Sequence, residues 1–111
     1  MGEDLARKRC VPCEGGVKSF TPAEIARYLE LVPGWQLVEG RKIQKERKFR
    51  DFVELMNFVN AMAQLAEGEG HHPDFFVSYN RLTITIWTHA IQGLSENDFI
   101  LAKKLDNLTI S

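Results

Sequence analysis

The chain is poor in the residues that would commit it to a metal, a membrane or a nucleic acid. It holds two cysteines and three histidines in 111 residues, with a formal net charge of -1. The cysteines form a lone Cys10-Val11-Pro12-Cys13. A structural zinc site needs four ligands, and there is no second pair; the histidines could complete one only by folding back from far away. A thioredoxin-like motif follows a strand and opens a helix, whereas this one adjoins Glu14-Gly15-Gly16 in a charged leader. The pair is expected to carry no chemistry, with a redox-labile pair and a metal site as alternatives. No apolar run approaches the ~20 residues of a membrane span. The N-terminus lacks an apolar signal core, and Met1-Gly2 is followed by Ala6 where myristoylation needs Ser or Thr. The expected location is the cytoplasm. With no basic excess, direct nucleic-acid binding is not expected.

What is present is globular. Hydrophobic content is 44% and charged content 26%, enough for one core in a chain of this length. Residues 1–18 read as a flexible leader and 19–111 as a single domain. Thr21-Pro22-Ala23-Glu24 is a capping box with proline at the first helical position. It opens a helix with Ile25, Tyr28, Leu29 and Val32 on one face, stopped by Pro33-Gly34. Trp35–Val38 and Arg41–Phe49 read as strands around a Glu39-Gly40 turn. The second is so charged (Lys42, Lys45, Glu46, Arg47, Lys48) that it is expected at an edge or with one face in solvent. Asp51 and Glu54 cap a further helix, whose Phe52, Leu55, Met56, Val59, Met62, Ala63 and Ala66 recur at helical spacing. Gly68 and Gly70 end it. Phe75–Tyr79 and Leu82–Trp87 are strand-like, and Ser95-Glu96-Asn97-Asp98 opens a last helix running to about Leu108. The order helix, two strands, helix, two strands, helix predicts an α+β fold, a four-stranded antiparallel sheet with three helices on one face.

All three histidines fall in or beside the second pair of strands, at His71, His72 and His89. Asn80-Arg81 is expected as a two-residue turn, because asparagine tolerates positive φ. Tyr79 then pairs with Leu82, Ser78 with Thr83, Val77 with Ile84 and Phe75 with Ile86. Continued outward, the register sets His72 opposite His89. Pro73 cannot donate to the ladder, so proximity is the expectation rather than a regular pair. This register gathers Phe75, Val77, Tyr79, Leu82, Ile84 and Ile86 on a core face. Phe76, Ser78, Thr83, Thr85, Trp87 and His89 share the other, whose aromatics point to a subunit interface or a ring-binding cleft.

Imidazoles gathered at one sheet edge suit proton transfer near neutrality. Structural roles, such as capping the preceding helix C-terminus, and a three-histidine zinc site are the alternatives. Asp98 is explained by its helix as a capping-box acid; it could equally orient an imidazole.

These residues resemble the pterin-4a-carbinolamine dehydratase family. The likeness rests on Glu69-Gly70-His71-His72-Pro73-Asp74, Tyr79-Asn80, Thr88-His89 and Gly93-Leu94-Ser95 with Asp98. It extends over roughly 21–108, including Gly34-Trp35 and Asp51-Phe52. Phe75 stands where the family often has Trp, and Arg47 where an apolar residue is common. The resemblance implies dehydration of 4a-hydroxytetrahydropterin to quinonoid dihydropterin, recycling the cofactor of aromatic amino-acid hydroxylases. It implies His71 and His89 as the acid/base pair, with His72, Pro73 and Asp98 on the substrate-binding and supporting side. No metal or cofactor is implied. A homodimer or homotetramer is expected. The alternative reading is a non-catalytic dimerisation or transcription-cofactor module; a metalloprotein using Cys10 and Cys13 is a third.

Overall fold

The computed structural model describes residues 5–10 and 18–108. Helix α1 spans Pro22–Leu29, strands β1 and β2 Gln36–Val38 and Lys42–Lys48, helix α2 Phe52–Glu69, strands β3 and β4 Asp74–Ser78 and Arg81–Ile86, and helix α3 Glu96–Asp106. All sheet pairings are antiparallel, in the order β1-β2-β4-β3. Ile43, Leu82, Ile84 and Ile86 bury one sheet face with Leu55, Phe58, Val59 and Met62 of α2 and Phe99, Ile100, Leu101, Ala102 and Leu105 of α3. The expected α+β architecture is observed.

Local chemistry explains the helix starts. Thr21 and Glu24 form the reciprocal capping box, and the Asp51 side chain accepts the Glu54 N–H. Gly68 does not end α2, which runs on to Glu69. Gly70 does, in the left-handed conformation at φ 67°, while the His71 N–H reaches back to the Ala66 carbonyl at 3.2 Å. This is the glycine-terminated helix end in which the chain reverses with its carbonyls satisfied. The buried stripe of α2 includes Phe58, while Phe52 is exposed.

Three expectations are narrowed or corrected. Of the two alternatives for the charged β2, an edge or one face in solvent, the first falls, since β2 lies between β1 and β4, while its Glu46 and Lys48 are exposed. Its Lys45 and Arg47 are accommodated because Lys45 pairs with Asp106 of α3 at 2.8 Å and the Arg47 guanidinium lies 4.6 Å from the Phe58 ring centroid. The long stems pack while the charged heads find partners. Second, the hairpin register differs. Ser78 pairs with Arg81, Val77 with Leu82 and Phe75 with Ile84, so the turn is Tyr79-Asn80. The cause is tertiary. Asn80 is held to the end of β2, its carbonyl accepting the Phe49 N–H at 2.8 Å and its side-chain amide donating to the Phe49 carbonyl at 3.0 Å. Tyr79 then takes the positive φ, 53°. The shift is by two residues, so face parity survives. Third, Phe75 and Tyr79 are not core; with β3 at the sheet edge, Phe75, Phe76 and Tyr79 are all exposed.

Of the segment read as a leader, residues 5–10 are docked on the domain. Leu5 is wholly buried, and Lys8 pairs with Glu96 of α3 at 2.7 Å. Cys13 lies outside the described residues.

Candidate active site

Three segments end around one cavity. The end of α2 delivers His71 and His72 past the Gly70 reversal. Beyond β4 the chain makes a short loop, closed by two backbone hydrogen bonds between Thr88 and Gly93 at 2.8 and 3.3 Å. That loop holds a 3-10 turn, His89–Ile91. Helix α3 begins at Glu96, capped by Ser95. The cavity of about 340 Å³ between them is lined by Gly70, His71, His72, Pro73, Asp74, Trp87, Thr88, His89, Ala90 and Asn97.

Asp98 is the hub. It is wholly buried. Its Oδ1 lies 2.6 Å from His71 Nε2. Its Oδ2 accepts the Thr88 hydroxyl at 2.8 Å and the Ser95 N–H at 2.8 Å. A carboxylate filled in this way is an acceptor, so the network assigns the proton of the first contact to His71 Nε2; in the neutral imidazole Nδ1 is then the lone-pair nitrogen. The two explanations of Asp98 are compatible. One oxygen takes the helix-capping N–H, and the other orients an imidazole. Through Thr88, Asp98 also anchors the loop that carries His89.

The register that would set His72 opposite His89 is not observed, because the hairpin pairs two residues out of it and regular pairing ends at Asp74 and Thr85. Both histidines still line the cavity. His72 Nε2 lies 3.0 Å from Glu67 Oε1 on the surface. The His89 ring lies 4.1 Å from the Trp87 ring, centroid to centroid, and its Nε2 is 3.8 Å from Asp74 Oδ2. Trp87 Nε1 donates to the same Asp74 oxygen at 3.0 Å. Pro73 lines the wall between His72 and Asp74.

The contributions of Thr88, Ser95 and Asn97 escaped the sequence reading. Their signal was present but ambiguous: a threonine at the strand end directly before a histidine, and a helix-capping serine three positions before an aspartate. Among the described residues, no group of three or more His, Cys, Asp or Glu side chains is placed to hold a metal ion. Nor is any helix there long and apolar enough to cross a membrane.

The sequence model of Pterin 4 alpha carbinolamine dehydratase matches residues 18–108. The chain belongs to this family. A relative from Rubrobacter xylanophilus is 43% identical over 95% of this chain and 98% of its own length. One from Nitrosomonas eutropha is 48% identical over 97% and 96%. Both are provisionally named pterin-4-alpha-carbinolamine dehydratase. Among solved structures, a transcriptional coactivator/pterin dehydratase from Brucella melitensis superposes with a TM-score of 0.76 at 37% identity, covering 80% of this chain and 96% of that one. In this member of the pterin-4a-carbinolamine dehydratase family, Gly70, His71, His72, Pro73, Asp74, Thr88 and His89 of the motifs quoted from the sequence line the cavity, and Asp98 is bonded to His71.

Proposed function

We propose that the protein dehydrates 4a-hydroxytetrahydropterin to quinonoid dihydropterin and water, with His71 and His89 as the acid/base pair. The observation that carries this is the pair of imidazoles on the wall of one cavity, one of them held at 2.6 Å by a buried carboxylate. In the reaction the C4a–O bond breaks and the hydroxyl leaves as water after accepting a proton. The neighbouring ring nitrogen loses its proton, and its electron pair forms the new C=N bond. His71, with Nε2–H committed to Asp98, offers Nδ1 as the base. His89, open to solvent, gives its proton to the departing oxygen and regains one from water, and His71 releases the proton it took to water, which returns both imidazoles to their starting states. Protonated His89 has a carboxylate nearby in Asp74. His72 and Pro73 bound the substrate. Positioned acid/base groups contribute about 10²–10⁴-fold each. The pathway served is tetrahydropterin recycling beside an aromatic amino-acid hydroxylase, in the cytoplasm. The test is the rate of dehydration of freshly generated carbinolamine: wild type should accelerate it, and His71→Ala and His89→Ala should each lose most of that acceleration while staying folded. Full activity in both variants would sink the assignment.

The exposed Phe75, Phe76 and Tyr79 on edge strand β3 support a homo-oligomer, since a sheet edge with unpaired backbone groups and apolar side chains invites pairing. Light scattering on the purified protein should give a mass above one chain. The same surface, with the coactivator name of the Brucella relative, supports a second reading as a protein-binding module. A chain that binds a protein partner without turning over pterin would favour it.

A further inference from the structure

Behind the cavity lies a buried charge that the dehydration chemistry leaves unused. Glu69 is the last residue of α2, and its side chain is 8% exposed. An acid is electrostatically misplaced there, at the negative end of a helix, and α2 has no basic residue in its last turn to offset it. Its partners come from elsewhere. Oε2 accepts from Lys104 Nζ of α3 at 2.7 Å, and Oε1 accepts the Cys10 backbone N–H at 2.9 Å. The Cys10 thiol in turn donates to the Asn97 carbonyl of α3 at 3.6 Å. Helix α3 is therefore tied to the end of α2 at two places, directly through Lys104 and by way of Cys10 through Asn97. Burial works to raise the Glu69 carboxyl; the hydrogen bonds from Lys104 and Cys10, with the Lys104 and Arg9 charges, outweigh it and hold the group below the usual carboxylate range.

The His71–Asp98 contact spans these same two elements. Only Gly70 separates Glu69 from His71, and the His71 N–H is bonded back into α2. Any tilt of the helix end therefore reaches the imidazole. A bond of 2.6 Å tolerates little such movement before its geometry fails.

We infer that Glu69, held by Lys104 and the backbone of Cys10, is a positioning residue for the His71–Asp98 pair, and that the N-terminal segment is part of this clamp. It touches no reacting atom. Its effect on turnover rests on the dehydratase reading; its effect on the hydrogen bond does not.

The experiment uses the full chain with nitrogen-labelled histidine, as wild type and as the Glu69→Ala, Lys104→Met and Glu69→Gln variants. It reads the His71 Nε2–H resonance and the dehydration kinetics. In Glu69→Ala and Lys104→Met the His71 resonance should shift or vanish into exchange while the His89 signals stay. Because displacement by ~1 Å can cost up to ~10²-fold, kcat should fall on the order of tenfold with KM nearly unchanged. Glu69→Gln keeps an acceptor for the Cys10 N–H but turns an amide N–H toward Lys104 Nζ, so it should disturb both no more than Glu69→Ala and resemble Lys104→Met. If Glu69→Ala does not fold, Lys104→Met decides. An unchanged His71 resonance in a folded variant overturns the inference, as does an equal disturbance of His71 and His89. Should the wild type show no dehydration, the dehydratase reading falls and the His71 resonance still decides the clamp.

Discussion

The two imidazoles proposed for catalysis sit in the same cavity and are built in opposite ways. The His71 side chain is 12% exposed and bonded to a wholly buried carboxylate; that of His89 is 58% exposed and faces the rim carboxylate of Asp74 at 3.8 Å. The first ring is fixed by two helices. The second rides on a short loop and is placed by contact with Trp87. A group held in one tautomer is suited to taking a proton at a set position, whereas a group open to water can be reprotonated quickly. The difference separates orientation from exchange and gives each to one residue.

The largest effects should fall on the buried side. His71→Ala should lower kcat by about 10²–10⁴-fold. It also leaves the Asp98 oxygen without its partner, so it should lower stability by about 1–3 kcal/mol in denaturant unfolding. His89→Ala should cost activity in the same range but leave the unfolding midpoint nearly unchanged; equal stability losses would break the contrast. Asp98→Asn comes next. Its amide would face either His71 Nε2–H or the two donors on Oδ2, and a donor–donor clash follows in both orientations. Relief by tautomer exchange at His71 would move the lone pair away from Nδ1. The expected result is a loss of kcat approaching that of His71→Ala, with the ring's changed tautomer visible by nitrogen NMR. Trp87→Phe, which keeps a ring beside His89 but removes the bond to Asp74, should change kcat/KM by less than about tenfold, the scale of one exposed hydrogen bond.

Much of this was legible in the sequence. The capping residues Thr21, Glu24, Asp51 and Glu54 announce their helices because a cap is satisfied within four residues. The core parity of Leu82, Ile84 and Ile86 was equally local. The hairpin turn was not, because its position is decided by Asn80 bonding to Phe49, thirty-one residues earlier. The pairing of the two strands predicts the gathering of His71, His72 and His89, although in a register two residues away from the observed one. A loop closed between Thr88 and Gly93 brings His89 in instead. Nothing in a local pattern tells whether Asp98 serves its own helix or a distant imidazole, since it does both with different oxygens.

Smaller effects sharpen how each side is supported. The His89 loop is backed by Gly93, where an added Cβ would lie 2.7 Å from Ser19 Cβ. Gly93→Ala should therefore destabilise by about 1–3 kcal/mol through overcrowding, and its activity loss should track His89 rather than His71. On the other side, Glu69 lies below its ordinary value of 4.5 in the folded chain. Unfolding returns it to that value, so its stabilisation is full above about pH 4.5 and is lost as pH falls through the lower folded value. Acid unfolding of Glu69→Gln should accordingly show a shallower pH dependence in that window than wild type.

The turn at Tyr79 bears on the order in which the chain assembles. An L-residue other than glycine, asparagine or aspartate seldom visits the left-handed region, at a cost of roughly 1–2 kcal/mol. The β3–β4 hairpin therefore has a poor local nucleus, despite its short connection. Its turn is held open by Asn80 on Phe49, a contact that needs the end of β2 already beside β4. The expected sequence of events is pairing of β2 with β4 first and addition of β3 last. Phe76 substitutions should then speed unfolding and leave the refolding rate alone, while Ile43→Val should slow refolding. The strand that completes the sheet edge would be the last to arrive in every newly made chain and the first to leave.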